Sequence, residues 1–171
     1  MPYARNADGA RPWAIPGTPG LAHRIGGLEK QDVTGEISYD PVNHARMTAL
    51  RAAKVAGIEV PDVVVDHEDG AELLVLGWGS SEGALRAGVR RVRERGRKVA
   101  RAHVHHLNPL PANLGEVLRA YRRVLLPEMN SGQLLKVLRA EYLVDIHGFS
   151  RVEGRPLFAA EMEQAILEML P

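Results

Sequence analysis

The sequence predicts an α/β protein, a small doubly wound and mostly parallel sheet with a long irregular N-terminal arm. Three observations carry that prediction. From Pro61 onward, short apolar runs bounded by Gly, Pro and charged residues alternate with segments of helical period, the pattern of βαβ crossovers. Leu73 to Trp78 is an almost unbroken apolar run, as expected of a parallel strand covered on both faces. Before Asn43, by contrast, no window sustains a period of 3.6 or of 2, so neither helix nor strand is expected there.

That first stretch carries Pro2, Pro12, Pro16, Pro19 and Pro41 with Gly9, Gly17, Gly20, Gly26, Gly27 and Gly35. Proline lacks a donor and fixes its own torsion, and glycine costs backbone entropy. A structureless loop of this length is rare inside a compact domain. Its scattered apolar residues, among them Trp13, Ile15, Ile25 and Tyr39, fit an arm that packs onto another surface. Asp40-Pro41 then reads as a capped helix start, with Met47, Leu50, Ala53 and Val55 near helical spacing and Gly57 as the stop. Residues 1–60 are thus an expected arm plus one helix, and residues 61–171 the α/β domain.

Within that domain Val63-Val64-Val65 is a candidate short strand and Leu73 to Trp78 a stronger one. A helix follows, because Ala84, Leu85, Val89 and Val92 share a face while Arg86, Arg90, Arg91 and Arg93 occupy others. Gly96 closes it. The cycle repeats with strand Lys98 to Val104, a Pro-rich turn, helix Asn113 to Tyr121 and strand Val124 to Pro127. Helix Ser131 to Tyr142, strand Leu143 to Ile146 and a last helix near Ala159 to Leu170 complete it. Parallel crossovers of this kind place helices on both faces of the sheet.

Composition excludes several classes of function. The 171 residues are 45% hydrophobic and 25% charged, and 22 Lys and Arg against 21 Asp and Glu give a net charge of +1. No global field therefore recruits nucleic acid or a membrane. Zero cysteines exclude disulfides, a thiol nucleophile and Cys-ligated iron–sulfur clusters on this chain. No run of roughly 18 apolar residues occurs, so a soluble, cytoplasmic chain is expected.

Four constellations could carry chemistry. Gly77-Trp78-Gly79-Ser80-Ser81-Glu82-Gly83 joins a strand to a helix, where a phosphate would meet free amides. Its third glycine comes one residue late for a dinucleotide fingerprint, no Lys-Ser or Lys-Thr follows, and Glu82 opposes an anion. A structural turn with Ser80 or Ser81 as helix cap is the favoured reading. His103, His105 and His106 cluster at a strand exit, but alternation sets His106 opposite the other two and no carboxylate is near in sequence. Packing or a subunit contact is expected rather than a metal. Between Arg86 and Arg101 stand eight Arg or Lys residues and one acid, Glu94. Without interleaved aromatics, a solvated face or partner contact is preferred over nucleic acid. In Glu128-Met129-Asn130-Ser131-Gly132-Gln133, Asn130 and Gln133 have capping-box spacing and Pro127 is expected to stop the strand.

Three segments together resemble the C-terminal part of the alpha subunit of 2-oxoacid:ferredoxin oxidoreductases. They are Leu74-Val75-Leu76-Gly77-Trp78-Gly79-Ser80, Leu107-Asn108-Pro109-Leu110-Pro111, and Pro127-Glu128-Met129-Asn130-Ser131-Gly132-Gln133-Leu134. The arm is similar to the 2-oxoglutarate branch through Trp13-Ala14-Ile15-Pro16-Gly17, Gly20 to Lys30, and Tyr39-Asp40-Pro41-Val42-Asn43-His44. The resemblance spans almost the whole chain.

It implies a transketolase C-terminal-like domain within an enzyme that decarboxylates a 2-oxoacid on thiamine diphosphate, transfers the acyl group to coenzyme A and reduces ferredoxin through an iron–sulfur cluster. The family holds the pyrimidine end of the cofactor in a preceding domain, whose Tyr-Pro-Ile-Thr-Pro stretch is absent from this sequence. It holds the diphosphate, magnesium and cluster in the beta subunit. The chain is therefore expected to bind no cofactor alone, to be inactive alone, and to assemble with the beta subunit and upstream alpha-subunit domains as a heteromer. No catalytic or metal residue is assigned. Gly77, Gly79, Ser80, Asn108, Pro109, Pro111, Glu128, Asn130 and Gln133 are assigned to structure or interface. His23 and Arg24 are candidates for a place near substrate, although the branch carries Glu where Ala22 stands; an Arg in a Gly-flanked loop could grip a carboxylate bidentately. A stand-alone module holding a phosphorylated ligand on the glycine loop is the alternative.

Overall fold

A computed structural model describes residues 1–171, which divide into two compact units, Met1–Glu59 and Val60–Pro171. The N-terminal unit contains one helix, α1 (Pro41–Ala56). Its start is the capped one expected, with Asp40 Oδ1 accepting from Val42 N at 3.1 Å and Oδ2 from Asn43 N at 3.3 Å. The preceding arm has no strand, only single bridges at Tyr3–Val33 and Lys30–Ile37. Polar bonds help to fasten it to α1, beside the buried Met47. The buried Asn43 amide accepts from Asp32 N at 3.0 Å and donates to Lys30 O at 2.9 Å. The Asp32 carboxylate in turn pairs with Arg5 and Arg46. Trp13 and Tyr39 remain 93% and 84% exposed.

The C-terminal unit is a five-stranded sheet in the order β1-β3-β2-β4-β5. Its strands are β1 (Val65–Asp66), β2 (Leu73–Trp78), β3 (Ala100–Val104), β4 (Arg123–Glu128) and β5 (Ile146–Ser150). The helices are α2 (Glu82–Glu94), α3 (Leu114–Arg119), α4 (Gln133–Tyr142) and α5 (Ala159–Met169). Alternation along β2 divides the core. Leu74 and Leu76 pack with Val124, Leu126, Leu114, Leu118, Leu134 and Leu138 on the α3/α4 face. Leu73 and Val75 pack with Leu125, Leu85, Val89, Met162 and Ile166 on the α2/α5 face. The result is the three-layer, doubly wound arrangement that the apolar run at β2 requires.

Three expectations are corrected. The strand at Val63–Val65 is instead the two-residue β1, antiparallel to β3. Val63 is held by a side chain that mimics a strand: Asn113 Oδ1 accepts from Val63 N at 2.8 Å and Asn113 Nδ2 donates to Val63 O at 2.9 Å. The last strand begins at Ile146 rather than Leu143, because Leu143 adopts φ 54 as the C-cap of α4. Its pattern also misleads, since an edge strand with one buried residue shows no apolar run. Pro127 does not stop β4, which continues to Glu128 paired with β5. Pro127 lies beyond Leu125, the last residue of β4 paired with β2, and at such a one-sided position a missing amide is tolerated. Remaining boundaries differ from expectation by a residue or two. No helix is long and apolar enough to cross a membrane.

Candidate functional site

In an open α/β sheet, ligands settle outside the carboxyl ends of the strands where the strand order reverses. Here that point is between β2 and β4. The ladder from β2 to β3 runs as far as Trp78–Val104, whereas that from β2 to β4 ends at Val75–Leu125. The strands therefore part over their last three residues and open a crevice of about 160 Å³, lined by Trp78–Ser81 and Pro127–Asn130. The fold thus brings Gly79, Ser80, Glu128 and Asn130 together. Asn108, Pro109 and Pro111 follow β3 and do not line the crevice, Gln133 reaches it only through Asn130, and His23 and Arg24 belong to the N-terminal unit.

The chemistry of the crevice is mostly committed to its own backbone. Asn130 Oδ1 accepts from Gly132 N at 2.8 Å and Gln133 N at 3.0 Å. The Glu128 carboxylate, 1% exposed, accepts from Leu134 N at 3.0 Å and Leu135 N at 3.1 Å. These four amides are the ones a helix start would offer to an anion. Two side chains have taken all of them. Asn130 caps as expected, but the Gln133 side chain makes no return bond; the second cap is Glu128, a role its sequence position did not reveal.

On the β2 side, the Ser81 hydroxyl donates to Trp78 O at 2.7 Å and accepts from Trp78 N at 3.3 Å. It folds back onto the strand end and gives α2 no side-chain cap. Ser80 is exposed and unbonded. The two glycines serve different needs. Gly79 has φ +58 with open space around it, whereas a Cβ on Gly77 would stand 2.6 Å from Leu85 Cδ2 and 2.8 Å from His103 Nδ1. Gly77 is required by close approach and Gly79 by backbone conformation.

His103 and His105 do share a side, with ring centroids 4.9 Å apart. Burial lowers the His103 pKa, against an opposing pull from Glu82. Its Nδ1 is buried without a hydrogen-bond partner, and no group of three His, Cys, Asp or Glu side chains is placed to hold a metal. The arginine-rich segment is largely consumed within the fold. Arg91 and Arg95 pair with Glu163, Arg93 with Asp66 and Glu68, Arg101 with Asp66 and Glu82, and Arg90 with Glu94.

In the N-terminal unit, His23 and Arg24 line a cavity of about 440 Å³ with Gly20, Ala22 and the Thr34–Ile37 turn. His23 Nδ1 stands 2.9 Å from Leu21 O and its ring meets Tyr3 edge-on at 5.9 Å. Arg24 is exposed and engages no carboxylate of the chain.

The thiamine diphosphate, magnesium and iron–sulfur cluster implied by the resemblance do not fit these residues. A cluster needs cysteines the chain lacks, a magnesium site needs convergent carboxylates that are not assembled, and the α4 amides that would face a diphosphate in the crevice are taken by Asn130 and Glu128. No chemical step is derived through them.

Strand order and helices on both faces define a doubly wound domain of transketolase C-terminal type. The chain is 56% identical over 168 residues, 97% of its length, to the 2-oxoglutarate oxidoreductase subunit KorA of Mycobacterium tuberculosis (strain ATCC 25618 / H37Rv). It is 31% identical over 152 residues, 83% of its length, to the alpha subunit of 2-oxoacid:ferredoxin oxidoreductase 1 of Aeropyrum pernix. Among solved structures, the 2-oxoglutarate:ferredoxin oxidoreductase of Magnetococcus marinus, with 2-oxoglutarate, coenzyme A and succinyl-CoA bound, superposes with a TM-score of 0.83 at 29% identity, covering 97% of this chain and 30% of that one. No family model matches. The chain belongs to the alpha-subunit family of 2-oxoacid:ferredoxin oxidoreductases, in its 2-oxoglutarate branch, and corresponds to the C-terminal part of that subunit. It spans 26% of the first of these relatives and 24% of the second.

Proposed function

We propose that this chain serves as the C-terminal structural part of a 2-oxoglutarate:ferredoxin oxidoreductase alpha subunit, working in the cytoplasm. The identity of 56% along 97% of the chain carries this reading. In it, Val60–Pro171 is an assembly domain and Met1–Glu59 an arm that docks onto upstream alpha-subunit domains. Thiamine diphosphate, magnesium and the iron–sulfur cluster belong to the rest of the enzyme, with the beta subunit, ferredoxin and coenzyme A as partners. Catalysis by proximity needs the reacting carbon held against its activating groups. The committed side chains of the β2/β4 crevice support a scaffold role for this part, and Gly77, Gly79, Ser80, Asn108, Pro109, Pro111, Glu128, Asn130 and Gln133 act in shape and contact.

His23 and Arg24 are the residues proposed to approach substrate. The guanidinium of Arg24 engages no acid of this chain and has the fork that a 2-oxoglutarate carboxylate would accept. The test is reconstitution with the beta subunit. The 171-residue chain should support no 2-oxoglutarate- and coenzyme A-dependent dye reduction, and an alpha subunit carrying the upstream region should restore it. In that restored enzyme Arg24→Lys should raise KM for 2-oxoglutarate more than it lowers kcat. Activity from the short chain with beta subunit would overturn the division of labour.

A further inference from the structure

We infer that the N-terminal unit holds a binding site for a phosphate-bearing ligand, in the cavity between the Tyr3–Arg11 segment, Leu28–Lys30 and the inner side of α1. The cavity measures about 330 Å³, room for a diphosphate rather than a lone ion, and its wall carries Arg5, Arg11, Lys30, Arg51 and Lys54 against a single acid, Glu29. The unit as a whole has no such bias. It contains seven Lys or Arg and six Asp or Glu, so folding has gathered five of the cations and one of the acids around one hollow.

Most of the nearby negative charge is already spent. Glu29 is shared between His44 at 2.7 Å and Arg51 at 3.2 Å. Asp32, outside the cavity, is shared between Arg5 and Arg46. Lys30 is the informative member. It is 3% exposed, and its ammonium donates only to two backbone carbonyls, Leu28 O at 2.9 Å and Gly26 O at 3.4 Å. No carboxylate stands within ion-pair distance, so a buried cation with three donors keeps one donor and its whole charge uncompensated. Buried charges are normally paired. Lys54 likewise makes no ion pair, and Arg11 stands over the Tyr3 ring with its Cζ 3.7 Å from the centroid, a cation–π contact that does not neutralise the guanidinium. Three cations on one wall, Lys30 buried, Arg11 stacked on Tyr3 and Lys54 exposed, all lacking counter-charges, are the donor set that phosphate oxygens satisfy. The inference stands apart from the oxidoreductase reading and needs only this chain.

Calorimetric titration of the whole 171-residue chain with pyrophosphate, at near-physiological salt so that diffuse attraction is screened, tests it. Binding is expected, weakened about tenfold by Lys54→Gln and by Arg11→Gln, as loss of one charge-assisted contact would produce. Glu29→Gln should tighten it, and Lys136→Gln, an exposed change in the other unit, should leave it unchanged. The Lys54 side chain is exposed, so that variant keeps its fold even if Lys30→Gln does not. Coenzyme A competing with pyrophosphate assigns the site to a phosphorylated cofactor, and pyrophosphate binding without such competition assigns it to a free phosphoanion; both uphold the inference. Absent heat, equal losses from Lys54→Gln and Lys136→Gln, or binding of poly-glutamate but not of pyrophosphate would each overturn it.

Discussion

Glu128, at the last position of β4, is joined to Leu134 in the first turn of α4 by a 3.0 Å hydrogen bond from the Leu134 amide. Through this bond and its companion to Leu135 a buried carboxylate becomes the start of a helix. A carboxylate near a helix N-terminus is favoured by the helix dipole as well as by the hydrogen bonds. The arrangement answers two questions at once. It accounts for a charged residue in the core, and it withdraws the amides an anionic ligand would have used.

Replacing Glu128 by Gln keeps the shape but turns an NH2 group toward one of the two amides. A loss of about 1–3 kcal/mol is expected, the usual cost of a buried donor left without its charged acceptor. Urea unfolding followed by Trp78 fluorescence, in a Trp13→Phe background, measures it; an unchanged midpoint would show that the cap is dispensable.

The glycines of the β2 exit should respond differently. Ala at Gly77 places a methyl against Leu85 and His103, an overpacking worth about 1–3 kcal/mol. Ala at Gly79 meets nothing but must adopt φ +58, costing about 1–2 kcal/mol through the backbone alone. NMR separates the two mechanisms, because Gly77→Ala should move the Leu85 methyl resonances and Gly79→Ala, whose Cβ meets nothing, should not.

Acid should weaken the α5 end of the C-terminal unit. The Arg155 guanidinium, bonded to both Glu161 oxygens at 3.0 and 2.8 Å, holds that carboxyl down to about 2 from the ordinary 4.5. A depressed carboxylate contributes stability above its unfolded pKa. The contribution is therefore complete above pH 4.5 and is lost as pH falls toward about 2. Carbon-detected titration should find the Glu161 midpoint near 2, rising toward the ordinary range in Arg155→Met but still held below it by the Phe158 amide at 2.8 Å.

His103 has the same sign from a different cause. Burial lowers its pKa below the ordinary 6.5, so the unfolded chain binds a proton more readily than the folded one. Stability is full above pH 6.5 and declines as pH drops below it toward the folded midpoint. His103→Gln should flatten that part of the pH–stability profile; a slope that persists in the variant would remove His103 as its source.

Much of the C-terminal unit was legible in its residues. The unbroken run from Leu73 to Trp78 announces a central strand because both of its faces are covered, and the Arg-striped segment after it announces a surface helix. The start of α1 was legible because Asp40-Pro41 acts locally, through bonds spanning two and three residues. Edges were less legible. β1 and β5 have exposed positions and short pairings, so little hydrophobic pattern marks them. The candidate site divides along the same line. Gly79 and Asn130 act on their immediate neighbours and were readable, whereas Glu128 acts six and seven residues away, beyond the spacing of any local cap.

Residue order by itself determined the alternation of strands and helices, the helix cap at Asp40, the lack of cysteine ligands and the family resemblance, since each rests on short-range periodicity, composition or motif. Only the tertiary structure decided that β2 and β4 part to form a crevice, that Glu128 closes the start of α4, and that five cations of a nearly neutral unit surround one cavity. Those outcomes depend on which distant segments meet, and contact between segments far apart in the chain leaves no periodic mark in either of them.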